Sequence, residues 1–140
     1  TIRKGEGRTP WSRRINAKAK LIVRIVGEQL LPGQLAAPEG AGGLLMVAFN
    51  VQPQAQADFR AWSDQEHLPA LAKVPGVLCA RRFEATEGAP QFVAIYHLTY
   101  PAVQACATWQ AAIDTPWSAR VRPHMSDRIR RVYRRYVPQA

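Results

Sequence analysis

The sequence predicts an α+β fold, a single antiparallel sheet with two helices on one of its faces. Three observations predict it. From residue 44 onward, short apolar runs of strand length alternate with amphipathic stretches in the order strand, helix, strand, strand, helix, strand. The two middle strands are joined by TEGAP at 86–90, a glycine-containing loop of hairpin length. Both amphipathic stretches open on a proline, Pro53 and Pro101, where the missing N–H costs nothing in a first helical turn.

Residues 1–12, TIRKGEGRTPWS, are basic and glycine-bearing with few large apolar groups, and read as an arm without its own core. Residues 12–31 are ambiguous. Ile15, Ala19, Ile22, Val23, Val26 and Leu30 fall near helical spacing, while the β-branched content favours a strand, and periodicity leans the reading to a helix. AAPEGAGG at 36–43 reads as a flexible linker. The first strand is 44–51, LLMVAFNV. The helix after Pro53 turns Ala55, Phe59 and Trp62 inward. Pro69 falls inside that helix, so the backbone must kink or restart there, two residues past His67.

Pro75-Gly76 makes a turn, and the strand 77–85 follows, with Val77, Cys79, Arg81 and Phe83 on one face and Leu78, Ala80, Arg82 and Glu84 on the other. The returning strand 91–100 places Val93, Ile95 and His97 on one face and Phe92, Ala94, Tyr96 and Leu98 on the other. The second helix buries Val103, Ala107, Trp109 or Gln110, and Ile113, and TPWS at 115–118 breaks it. Residues 128–137, RIRRVYRRYV, form a strand whose arginine content fits a sheet edge or a wet interface. This order is the split βαβ, ferredoxin-like βαββαβ arrangement. The sheet has a second face to bury, and pairing with another copy of the chain is the simplest solution, so a homodimer is expected.

At 140 residues and 47% hydrophobic composition the chain can bury one core, read as a domain over 44–140 preceded by a basic extension and linker over 1–43. No apolar run reaches membrane-spanning length and no secretory leader pattern opens the sequence, so a cytoplasmic protein is expected. Cys79 and Cys106 form no CxxC pair and are expected reduced and buried. The net charge of +9 divides as +5 over 1–40, −2 over 41–117 and +6 over 118–140. The basic character thus belongs to the two ends. A solvated face is the plain reading and an anion, membrane-surface or nucleic-acid contact through the basic ends the alternative, with neither nucleic acid nor membrane expected as the partner.

EHLPALAKVPGVLCARRF, GAPQFVAIYHLTYP and DTPWSARV together resemble the dimeric α/β-barrel superfamily, nearest to small EthD-like and methylmuconolactone-isomerase-like proteins. The resemblance covers roughly residues 44–137. It implies two sheets facing each other across a dimer, with a pocket between sheet and helices or within each half. Cofactor-free oxygenases, isomerases, polyketide cyclases, haem enzymes and domains with no known reaction share this fold, so the fold alone selects none of them. The first 40 residues lie outside the resemblance. They read as an arm embracing the partner subunit, an added upstream segment, or a separate binding element.

His67 is the leading acid/base candidate, because it titrates near neutrality and has Asp64 three residues before it on the helix. An adjacent carboxylate would orient the ring and raise its pKa, and the resemblance implies that a histidine here lines the pocket. A helix-end packing role is the alternative, and Glu66 is expected to face solvent. Arg81 and Arg82 point to opposite faces, so one lies close to buried surface, which hints at a carboxylate or enolate substrate. His97 either joins His67 across a pocket or packs in a seam. Trp62, Tyr96 and Trp117 would wall such a pocket with Asp64 at its side, or be simple core. No HxH or HExxH spacing supports a metal, and no GxGxxG, Walker loop or GxSxG supports a nucleotide or a hydrolase elbow, so no cofactor is expected. The expectation is a small-molecule pocket protein acting by cofactor-independent proton transfer on an aromatic or lactone-like organic acid, with His67, Arg82 and His97 as catalytic candidates. The alternative is a non-catalytic ligand-binding or assembly domain.

Overall fold

A computed structural model describes residues 9–11, 13, 14 and 23–139. Its sheet has five antiparallel strands: β1 (Val26–Leu30), β2 (Gly43–Val51), β3 (Val77–Glu87), β4 (Phe92–Leu98) and β5 (Met125–Arg134). They lie in the order β1-β3-β4-β2-β5. Without β1 this is the ferredoxin-like order, with β5 at an edge as its arginines require. The expected helix over 12–31 is corrected at its C-terminal end. Residues 26–30 pair with β3, from Val26 opposite Glu87 to Leu30 opposite Arg82. Gly27 permits that pairing, because a Cβ there would stand 2.8 Å from the carbonyl oxygen of Glu84. Residues 12 and 15–22 lie outside the described residues, while 10, 11, 13 and 14 are helical.

Between β2 and β3 a 3-10 turn (Pro53–Ala55) leads into α1 (Gln56–Trp62), a π-helical turn (Ser63–His67) and α2 (Leu68–Ala72). The expected irregularity at Pro69 takes this form. Pro69 has no N–H to give to the turn before it, and the backbone N–H of Leu68 reaches back five residues to the carbonyl of Ser63. Between β4 and β5 come a 3-10 turn (Pro101–Ala105), α3 (Ala107–Ile113) and α4 (Pro116–Val121). The break expected at TPWS falls at Asp114 and Thr115, and a new helix starts directly after it, since Thr115 Oγ1 accepts the Ser118 N–H as an N-cap and Pro116 fills the first turn.

The helices cover one face of the sheet through two apolar clusters. Leu45, Tyr96 and Leu98 meet Leu68, Leu71, Val103 and Trp109, while Phe49 and Phe92 meet Phe59, Trp62 and Val121. A bulge corrects the phase at the start of β3. Val77 pairs with Leu98 and Cys79 with His97, so Leu78 is the extra residue; Val77 joins the core and Leu78 is exposed. Cys79 is buried and Cys106 half-buried, both as free thiols. No helix among the described residues is long and apolar enough to cross a membrane.

Candidate functional site

Between the sheet and the helices lies a cavity of about 660 Å³. Its walls are aromatic and its charged groups are basic. Phe49, Phe59, Trp62, Phe92, Tyr96 and Trp109 line it, together with His67, Arg82, Arg122, Arg128 and Arg130. Tyr96 and Trp109 meet edge to face at 5.1 Å, which fixes one wall.

The π turn delivers His67. Its ring stacks on Trp62 at 4.1 Å between centroids, 25° from parallel. Trp62 Nε1 donates to Ser118 Oγ at 3.1 Å, and Thr115 Oγ1, 2.9 Å from that hydroxyl, donates to Glu66 at 2.7 Å. Thr115 and Ser118, at the start of α4, thus hold both Trp62, just before the turn, and Glu66 within it. Glu66 is half-buried, which corrects its expected place in solvent. Burial pulls the His67 pKa down to about 3, and the positive charge of Arg122 adds to the effect. The expected upward push from Asp64 is corrected: Asp64 turns away to Arg82. His67 Nδ1 is buried with no hydrogen-bond partner.

Arg82 lies deep in the wall, 4% exposed. Its Nη2 stands 2.6 Å from Asp64 Oδ1 and its Nη1 3.5 Å from Glu84, which in turn holds Arg60 at 2.7 Å. Two arginines and two carboxylates alternate, so a buried cation is neutralised within the protein. The contact to Asp64 is a close charge pair whose angles fall outside those of a hydrogen bond. Asp64 Oδ1 therefore lacks a hydrogen-bond donor, and the Arg82 Nε–H lacks an acceptor. Unpartnered buried polar atoms are uncommon, and here two residues that line a single cavity, His67 and Arg82, each carry one.

His97 is not brought to this site. β4 sends Tyr96 to the helices and His97 to the opposite face, where it borders a separate open groove with Leu44, Tyr133, Arg134 and Arg135. Burial and the charge of Arg81 lower its pKa, and its Nε2 is also unpartnered. The pairing of His97 with His67 across one pocket is thus corrected by strand alternation. Trp117 is likewise not among the lining residues. Its Nε1 donates to Asp58 at 3.1 Å, and the Arg120 guanidinium sits 5.4 Å over its ring. Trp62 and Tyr96 line the cavity, and Asp64 reaches it through Arg82. Sequence reasoning missed Arg122, Arg128 and Arg130. Their signal was the even spacing of Arg128 and Arg130 on one strand, which puts both on one face. Among the described residues no three His, Cys, Asp or Glu side chains gather as a metal site requires.

Fold and site together define a ferredoxin-like α+β protein with an aromatic-walled, cationic cavity on the helix side of its sheet. No family model and no curated protein matches the chain. Among solved structures it is similar to a "putative monooxygenase" from Fusobacterium nucleatum, with a TM-score of 0.52 over 91% of this chain at 8% identity. This chain spans 64% of that protein's length. At such identity the likeness shows the fold.

Proposed function

We propose that the chain takes an aromatic or lactone-like organic acid into the cavity and moves a proton on it without a cofactor, in isomerase or lyase chemistry or as the first step of a cofactor-independent oxygenation. The observation that carries this reading is the meeting of His67 and Arg82 on one aromatic-walled cavity, each with a buried polar atom that lacks a partner. With its pKa lowered, His67 is neutral at physiological pH and keeps a lone pair, and a bound anion that offsets the charge of Arg122 raises its basicity toward the range a general base needs. It takes a proton from carbon. The electron pair left behind moves onto the adjacent carbonyl oxygen. Arg82 offers that oxygen a fixed cationic donor already charge-balanced by Asp64 and Glu84, so little reorganisation is needed as the enolate forms. Return of the proton from the imidazolium to a different carbon completes an isomerisation.

A ligand-binding domain without turnover is the second reading. It is favoured by one observation: no hydrogen bond or ion pair to a carboxylate orients the His67 ring among the described residues. Deuterium exchange separates the two. In D₂O the wild type should exchange the acidic benzylic C–H of 4-(2-oxopropyl)benzoate, followed by proton NMR, and His67→Ala should lose this by about 10²-fold or more while keeping its fold. Equal exchange by both proteins would contradict the catalytic reading and leave the binding reading standing.

A further inference from the structure

The arginines of β5 have no place in the proton transfer, and their surroundings give them another task. Opposite β2 the register passes from Ala48–Ile129 to Asn50–Ser126, so three steps on β5 face two on β2. Asp127 takes the extra position with φ 55°, and Asn50 Nδ2 donates to its carboxylate at 3.1 Å. This bulge keeps Met125 on the cavity side together with Arg128 and Arg130, where unbroken alternation would have turned Met125 away. Arg130 is half-buried, and its Nη2 is held by the Gln104 side chain from the 3-10 turn before α3.

Arg128 and Arg130 thus line the aromatic-walled cavity from one face of β5, Arg128 exposed and Arg130 half-buried. Among the described residues neither forms an ion pair. Burial and the neighbouring Arg128 charge both press the Arg130 pKa downward, as expected of like charges that await a counter-charge. The cavity's deep arginine is different, because Arg82 is already matched by Asp64 and Glu84. An anion entering the cavity therefore finds, among the described residues, two cations without an ion pair on one strand, β5, against the single Arg122 beyond α4.

We infer that Arg128 and Arg130, with Gln104 positioning Arg130, form a carboxylate clamp at the cavity mouth, which makes the ligand an aromatic acid whose carboxylate lies at the end remote from the reacting carbon. The inference rests on the cavity being the ligand site and is independent of His67 catalysis. It fixes the direction in which the ligand lies. The carboxylate sits on β5 and the reacting end faces the π turn.

Calorimetric titration of the full chain with 2-naphthoate and its neutral isostere 2-naphthamide tests the clamp. The wild type should favour the acid by about tenfold or more, the equivalent of about 1.4 kcal/mol. Arg128→Gln/Arg130→Gln should lose that preference while binding the amide as before. Arg131→Gln, which removes the same charge on the other face of β5, should keep it. Should the double variant not fold, the exposed single variant Arg128→Gln carries the test with a smaller loss of preference. A preference that survives in the folded variant overturns the clamp alone, and failure of the wild type to bind either probe overturns the cavity reading with it. An unchanged deuterium exchange in His67→Ala touches neither result.

Discussion

His67 is held in a π turn, stacked on Trp62 and left without a carboxylate neighbour, because Asp64, three residues before it, is taken by Arg82. Its protonation behaviour follows from that. The folded-state pKa of about 3 lies below the ordinary value of about 6.5, so as pH falls the unfolded chain takes up the proton first. The contribution of this group to stability is whole above about pH 6.5 and is lost progressively as pH falls toward 3. His97, whose pKa is also lowered, adds a change of the same sign. Urea titrations at pH 7 and pH 5 should show the wild type less stable at pH 5, with His67→Gln losing less over the same interval. An equal loss in both would mean that His67 is hydrated and titrates normally. By the same reasoning kcat/KM should have no acid limb near pH 6.5.

At the scale of elements, the sheet has two faces with different fates. The helices between β2 and β3 and between β4 and β5 cover one. The other presents Leu44, Met46, Phe83, Ile95 and Ile129 as half-buried apolar side chains around the small or buried Ala48, Cys79 and His97. Hydrophobic groups gathered on a sheet face call for a cover, and we propose a second copy of this chain in that place. Sedimentation equilibrium should give a dimer, and Met46→Arg on the middle of this face should yield monomers of unchanged secondary structure. A wild-type monomer would contradict the proposal.

Much of this was legible in the chain itself. Pro53 and Pro101 marked helix starts, Pro75-Gly76 and TEGAP marked turns, and period-two alternation sorted Tyr96 from His97. Three features escaped for physical reasons. The strand Val26–Leu30 is short, contains Gly27 and Glu28, and is specified by the edge of β3 more than by its own pattern. The two bulges, at Leu78 and Asp127, insert single residues that no hydrophobic period reveals. Finally, the partner of Asp64 depended on the strand packed against its helix, so a helical neighbour, His67, looked the better match.

For the whole molecule, the uneven charge along the chain acquires a location. The mildly acidic centre, residues 41–117, supplies Asp64 and Glu84, which neutralise Arg82 inside the cavity wall. The basic stretch 118–140 brings Arg122, Arg128 and Arg130 to the same cavity, the first from the 3-10 turn after α4 and the other two from β5. Cationic groups at the mouth of a cavity with low-dielectric walls focus the field there and draw anions in. The most direct measurement of this account is an amide and indole proton–nitrogen NMR titration of the full chain with 2-naphthoate. Saturable shifts confined to the helix side of the sheet, at the Trp62 and Trp109 indoles and the backbones of His67, Arg82 and Arg130, are what the account predicts. Shifts centred on His97, Leu44 and Tyr133 across the sheet, or none that saturate, would contradict it.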